Sequence, residues 1–454
     1  MFLTKDKSFY RLIFSIALPI AAQNLITFSI GMADSIMVGL LGEIQIAASS
    51  VANKFFFIMM ILLLGVSGGS NVLIAQYWGK KETTAIHQVL AIMYRVIAAA
   101  SFLFFVVAQL FPEQVMRLYT NDALIISEGI RYLKAVSWGY ILFALTNASV
   151  MMLRSVRTVH IANIIYGVSL FVNIFFNWVL IFGKFGIPAM GITGAGYATV
   201  IARIVEFSIM LLFLTRFEDK LLLSWDKLKR VNREMLSSFV ENVLPVIANE
   251  GLWVAGSTVV SMIVGRLGST VVAASSIEGL AWQLVTITLF GLQNATSVII
   301  GNTIGAGEKD KLKEYTRTLV AMAFIIGPIA GALMILLRPV VAFFYPNFDP
   351  QTLQIAAQLM RNSGIILFFQ SLNFVCLMGI LRGGGDLRFV LIFDVVFLWT
   401  VSIPLGLAAA FYWHLPAPLI IVCLRIDEII KAMVALWRVW GNEWVRDLTI
   451  SITE

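Results

Sequence analysis

Charge is scarce in this chain: 13% of its 454 residues are Asp, Glu, Lys or Arg, about half the share found in a typical soluble domain. With 59% of residues hydrophobic, an ordinary soluble globule is excluded. Cysteine is nearly absent, and Cys376 and Cys423 lie in apolar runs without CxxC or CxxxH spacing, which argues against a disulfide framework or a zinc site. The three histidines, His87, His160 and His414, fall in loops or at the ends of apolar runs. No intramembrane histidine is therefore on hand for acyl transfer or metal chemistry, and an enzyme is not expected. A GxxxxGK(S/T) loop to cradle nucleotide phosphates is also missing, so power must come from an ion gradient or another subunit, or from nothing, and no cofactor is expected. The net charge of +7 is not accompanied by interleaved basic and aromatic residues outside the apolar runs, which excludes nucleic acid as a partner.

What the chain has in abundance is long apolar runs. About twelve are long enough to span a bilayer, which takes about 20 residues. They lie near 11–40, 50–76, 88–110, 131–153, 159–183, 191–215, 237–265, 276–300, 315–337, 358–381, 388–412 and 416–437. The first continues past Asp34 without a small-residue cleavage site, so a removed signal peptide is not expected. Alternate breaks carry the basic residues: Lys80 and Lys81; Arg154 and Arg157; Arg216, Lys220, Lys227, Lys229, Arg230 and Arg233; Lys309, Lys311, Lys313 and Arg317; Arg382 and Arg388. The intervening breaks hold little beyond Arg117, Lys184, Arg266 and Arg338. Basic short loops stay cytoplasmic, which places both termini there.

The two halves are copies. A shift of 226 lays Leu18-Pro19 on Leu244-Pro245, Leu41-Gly42 on Leu267-Gly268, Ala47 to Ser50 on Ala273 to Ser276, Gly65 on Gly291, Gly79 on Gly305, and Tyr119 and Asn121 on Tyr345 and Asn347. With small gaps Leu153-Arg154 meets Leu381-Arg382, and Arg203 with Glu206 meets Arg425 with Glu428. The expected organisation is an N-terminal six-helix lobe (1–215), a basic cytoplasmic linker (216–236) and a C-terminal six-helix lobe with a short tail (237–454). Six helices per half start both copies on the same side, as in parallel transporter repeats, and two bundles facing a central cleft can expose it to either side in turn.

Ionisable groups inside spans are costly and usually line a cavity or ion path. Asp34 is the sharpest case, with Thr27 and Gln23 on the same helical face. It either binds a proton or a cation, or merely accepts hydrogen bonds from neighbouring helices. Asn173 and Asn177, one turn apart, could complete a polar pocket with it, or simply join helices. In the second half Glu250 lies between Asn249 and Trp253, and a carboxylate beside an indole suits an organic cation. Asp394 could be neutralised by Arg382 or Arg388, and Glu278, near the outer boundary, is expected to be wet. The Arg203/Glu206 and Arg425/Glu428 pairs, at i,i+3, are expected to neutralise each other. Lys54 is placed to snorkel to the outer surface. Gly383-Gly384-Gly385-Asp386 is read as a turn rather than a phosphate loop. The 18 methionines and 33 phenylalanines would let a cleft adapt to varied apolar ligands.

These residues resemble the multidrug and toxic compound extrusion (MATE) family over nearly the whole chain. Asp34 to Gly39 is similar to the family's first-span pattern, Asn173 to Pro188 to its fifth-span signature, and Leu381-Arg382-Gly383 to the motif after its tenth span. The resemblance implies an all-α polytopic fold of twelve transmembrane helices in two pseudo-symmetric bundles. It implies antiport, with Asp34 coupling to H+ or Na+; beside it Asn173 and Asn177 are the expected partners in holding the ion, and Glu250, Trp253, Asp394, Gln23 and Thr27, read from their positions in the spans, are the candidates for substrate or a second cation. Small organic cations and membrane lipid are the expected partners of a monomer in the inner (plasma) membrane. Two positions depart from family branches, for Asn177 stands where some carry a second acid and Ser371 where others carry an acid in the tenth span. Glu250 lies about two residues from the seventh-span acid of one branch. The rival reading is a lipid-linked oligosaccharide or lipid flippase of related architecture, which would need stronger cationic purchase on a pyrophosphate.

Overall fold

The computed structural model of the protein describes residues 3–223, 226–229, 231–340, 349–441 and 443–450. Arg230, Tyr345 and Asn347, named above, lie outside them. All regular secondary structure among the described residues is helical, as the lack of alternating hydropathy and the backbone's need for internal hydrogen bonds in lipid require.

In the first half the long helices are α1 (Lys7–Gly39), α2 (Glu43–Lys80), α3 (Thr83–Leu110), α7 (His160–Phe182) and α8 (Gly191–Arg216). The short α4 (Pro112–Arg117) precedes α5 (Ala123–Val136), which continues through a tight turn into α6 (Tyr140–Ser155). The second half opens with α9 (Arg233–Gly265), α10 (Ser269–Gly305) and α11 (Lys309–Leu336). It goes on with α12 (Pro350–Leu372), α13 (Leu387–Phe397) and α14 (Ile403–Leu407), and ends with α15 (Ala417–Cys423) and α16 (Asp427–Trp440). Eleven helices among the described residues are long and apolar enough to cross a membrane. The twelfth expected span, 416–437, is present as two pieces, α15 and α16, separated by Leu424 to Ile426.

That break has a local cause. Arg425, Ile426 and Glu428 donate their amides three residues back, to Val422, Cys423 and Arg425, so the turn tightens to a 3₁₀ pattern. The tightening turns three charged side chains, Arg425, Asp427 and Glu428, toward different neighbouring helices. Three π-helical stretches, Asn373–Leu381, Leu398–Ser402 and Ala408–Tyr412, interrupt the regular period nearby. Such wide turns shift side chains off the face that a 3.6-residue count predicts.

Packing divides the chain into two units. Among the described residues, one comprises Ala22–Ile74 and Glu82–Val243, and the other comprises Met1–Ala21, Ala75–Lys81 and Leu244–Ser451. The divisions therefore fall inside α1, α2 and α9 rather than at the basic linker. Pro19 and Pro245, repeat-equivalent, lie within α1 and α9 close to two of these divisions.

In the unit built on the second half, the repeat-equivalent glycines Gly79 and Gly305 lie at one helix crossing. A Cβ on Gly79 would fall 2.2 Å from the Asn302 carbonyl oxygen, and one on Gly305 would fall 1.9 Å from that of Gln76. Only glycine permits so close a backbone approach. Asn302 fixes the crossing by donating its side-chain amide to the Ala75 carbonyl at 3.0 Å. The same unit holds the N-terminal segment from Leu3 and residues 443–450. The N-terminal segment sits on α11: the Thr4 amide donates to Thr318 Oγ1 at 2.9 Å, and the rings of Phe9 and Tyr315 are 4.4 Å apart. Residues 443–450 form a strap over the end of α2. Gln76 donates to the Arg446 carbonyl at 3.1 Å and accepts from the Leu448 amide at 2.8 Å, the pattern a neighbouring β-strand would offer. Gly384, in the expected turn, lies against the ring of Trp444, and Asp386 pairs with Arg438 and Arg446 at 2.9 and 2.8 Å.

Candidate functional site

In the unit of the first half, Asp34 lies one and a half turns before the end of α1, nearer the helix end than a place deep in the span. Asn177 is equally close to the end of α7, so the two side chains meet at one level. Asn177 Nδ2 donates to Asp34 Oδ1 at 2.5 Å and to Asn173 Oδ1 at 3.1 Å. Asn173 and Asn177 are buried, Asp34 is half-buried, and the charge of Arg203 reaches Asp34. The remaining amide atoms, Asn177 Oδ1 and Asn173 Nδ2, are buried without a hydrogen-bond partner. Unmet buried polar atoms cost about 1–3 kcal/mol each. The trio therefore offers one carboxylate and an unused acceptor where a proton or a small cation can be held. Among the described residues no group of three His, Cys, Asp or Glu side chains is arranged to hold a metal ion, so any ion at Asp34 would rely on amide oxygens as well as the carboxylate.

Gln23 and Thr27 share the face of Asp34 but not its pocket, since 11 and 7 residues of helix separate them from it by about 16 and 10 Å. Gln23 donates to the Val159 carbonyl at 2.9 Å and accepts from Arg154 at 2.7 Å, while Thr27 bonds back to the Gln23 carbonyl. Arg203 and Glu206 pair as expected, at 2.7 and 2.8 Å, with Ser169 also donating to the carboxylate and Arg203 lying 4.8 Å over the ring of Phe143. Lys54 lies over the ring of Tyr119 at 5.7 Å.

In the other unit several expected pairings are replaced. Arg425 does not pair with Glu428: the broken helix turns it to Glu278, 2.9 Å away, with Ser363 donating to the same carboxylate at 2.6 Å. Glu278 is therefore buried, 3% exposed, rather than wet. Glu428 instead accepts from Asn373 at 2.7 Å and Gln370 at 3.1 Å. Arg382 takes Glu250 at 2.9 Å, leaving Asp394 to a residue the reading by motif missed. That residue is Lys431, whose ammonium lies 2.8 Å from Asp394 Oδ1 and 2.7 Å from Asp427 Oδ2. Asn249 donates to Asp394 Oδ2 at 2.9 Å, and Ser402 to Asp427 Oδ1 at 2.7 Å. Asn249 and Glu250 thus point to separate partners, and Trp253 is 42% exposed, so acid, amide and indole do not gather in one pocket. The signal that could have revealed Lys431 was the i,i+4 spacing of Asp427 and Lys431 within the last apolar run.

A duplicated, all-helical chain with buried carboxylates held by amides and bases inside long apolar helices is a multi-pass membrane transporter. The chain belongs to the MatE family, whose model matches residues 19–179 and 245–408, one match in each half. Over 439 residues, 94% of this chain and 92% of its relative, it is 23% identical to a Thermotoga maritima protein named "Probable multidrug resistance protein NorM". It is 24% identical over 408 residues to "Multidrug resistance protein MdtK" of Edwardsiella ictaluri, covering 87% of this chain and 86% of that one. Among solved structures, the Vibrio cholerae MATE transporter VcmN matches with a TM-score of 0.87 at 16% identity, over 97% of this chain and 98% of that one. The fold expectation of twelve membrane helices in two bundles is met.

Proposed function

We propose that the chain is a secondary active multidrug antiporter that exports amphipathic organic cations in exchange for H+ or Na+, with Asp34, Asn173 and Asn177 as the exchange site. The observation that carries this reading is the short Asn177–Asp34 hydrogen bond among apolar helices, next to a buried amide oxygen with no partner. A carboxylate in such surroundings attracts an organic cation, and a proton taken up at Asp34 removes that attraction. Sodium would act by occupancy, drawing on Asp34 and the amide oxygens. Either ion then displaces the drug from a site both cannot hold. The names of the relatives support multidrug export, and the basic residues of alternate loops support both termini in the cytoplasm.

The test is efflux of a fluorescent organic cation from proteoliposomes carrying the purified protein, with proton and sodium gradients imposed separately. Export is expected to follow one of the two gradients and to be lost in Asp34→Asn. Efflux that ignores both gradients overturns antiport.

A further inference from the structure

We infer that Lys431 is a tethered counter-cation: its ammonium fills the place between Asp394 and Asp427 that a free monovalent cation would otherwise take, so that place takes up no exchangeable metal ion. The inference rests on the reading that this chain exchanges its cargo for a cation.

The geometry carries it. Every oxygen of the two carboxylates has a donor: Lys431 serves one oxygen of each, Asn249 the other oxygen of Asp394, and Ser402 the other oxygen of Asp427. Lys431, Asp394, Asp427 and Asn249 are 3–4% exposed, so no solvent ion shares the site. Glu428, the third carboxylate acting on Lys431, is engaged by Asn373 and Gln370. Four elements converge here, α9, α13, α16 and the π-helical turn Leu398–Ser402, as they would around a bound ion. Take the ammonium away and two carboxylates within reach of a single point remain, with their outer oxygens already oriented by an amide and a hydroxyl.

A purely structural role explains less. Replacing a buried ion pair by apolar residues is often neutral or stabilising, and the other half of this chain shows such an alternative. The repeat alignment that sets Arg203 on Arg425 puts Val205 at the position of Asp427 and Ile209 at that of Lys431. Asp427 and Lys431 thus occur in one copy only, and what they supply there is a bound cation that cannot leave.

The experiment is equilibrium binding of radioactive sodium to the purified protein in detergent at pH 9. The background is Asp34→Asn, which removes the proposed exchange site in the other unit. That background is expected to hold no sodium, and adding Lys431→Ala, or the isosteric Lys431→Met should the alanine variant aggregate, is expected to create about one site per chain. Ethylammonium, which matches the deleted end of the side chain, should compete for it. Lys431→Arg should create none, and Asp394→Asn added to Lys431→Ala should abolish the new site. The inference is overturned if monodisperse Lys431 variants bind no sodium, or if the Asp34→Asn background already holds a sodium ion that Asp394→Asn removes. Equal sodium binding by the parent and Asp34→Asn would count against sodium at Asp34, not against Lys431, which the other arms decide.

Discussion

The crossing of Gly79 and Gly305 allows a worked prediction. An added methyl carbon would lie 1.9 Å from a carbonyl oxygen at Gly305 and 2.2 Å at Gly79, against an ordinary carbon–oxygen approach of about 3.3 Å. The obstacles are backbone atoms of helices and cannot rotate aside, so either substitution must part α2 from α10 by roughly 1 Å. Overpacking of that kind costs about 1–3 kcal/mol. Loss of the Asn302 bond to the Ala75 carbonyl adds about 1 kcal/mol. Both methyls wedge the same crossing, so the second meets helices already separated, and the double variant should lose less than the sum by at least about 0.5 kcal/mol. Thermal unfolding in detergent, followed by monodispersity on gel filtration, measures this. Gly167→Ala, which meets nothing within 4 Å, is the control and should be neutral or slightly stabilising. Fully additive losses, or single variants as stable as the parent, would refute the close-approach account.

Asp34→Asn should abolish drug resistance in cells at unchanged surface expression, and normal resistance would remove Asp34 from the exchange site. Arg425→Ala strands Glu278 in a buried place and should cost about 3–5 kcal/mol; Glu278→Gln added to it should recover most of that loss, and a double variant no more stable than the single would show that the pair is not coupled. Gln76→Ala removes two hydrogen bonds from the C-terminal strap, about 2 kcal/mol in all, so carboxypeptidase should digest the tail about thirtyfold faster in the opening-limited regime. The strap also responds to acid. Burial pushes the Asp447 carboxyl up, but hydrogen bonds from Thr449 and Lys80 and the Lys80 charge outweigh it and hold it below its ordinary value. Its contribution is therefore present above the ordinary aspartate range and is lost as the pH falls through the lowered value, which digestion with an acid-stable carboxypeptidase would register; a tail released equally at all acid pH values would contradict it.

The spans and their duplication were legible because hydropathy and helix length are set by the bilayer itself, and residues such as Gly79 and Gly305 recur in register for a steric reason the structure makes explicit. The meeting of Asp34 with Asn177 was legible too, as three polar side chains among apolar helices have few other places to go. The ionic partners of the second half were not. A helical count assigns Arg425 to Glu428, but the break after Cys423 and the π-helical turns beside it redirect both side chains. Gln23 and Thr27 show the complementary limit: sharing a helical face fixes direction, not height, and the bond from Arg154 holds Gln23 about three turns from Asp34. Lys431 escaped notice because a lysine near the end of a span reads as a solvated anchor until the two acids around it are seen.

The two chain ends and the close of α2 have a consequence for synthesis. Phe9 packs on Tyr315, and Gln76 and Gly79 meet Arg446 and Asn302, so segments made first find their partners only after most of the chain has been made. At about 5–20 residues per second, Phe9 leaves the ribosome some tens of seconds before Tyr315 exists. The first six helices expressed alone would present an unclosed end of α2 and an unseated N-terminal segment. The contacts of Gly79 and Phe9 can form once residues 302 and 315 are made, whereas those of Gln76 wait for residue 446.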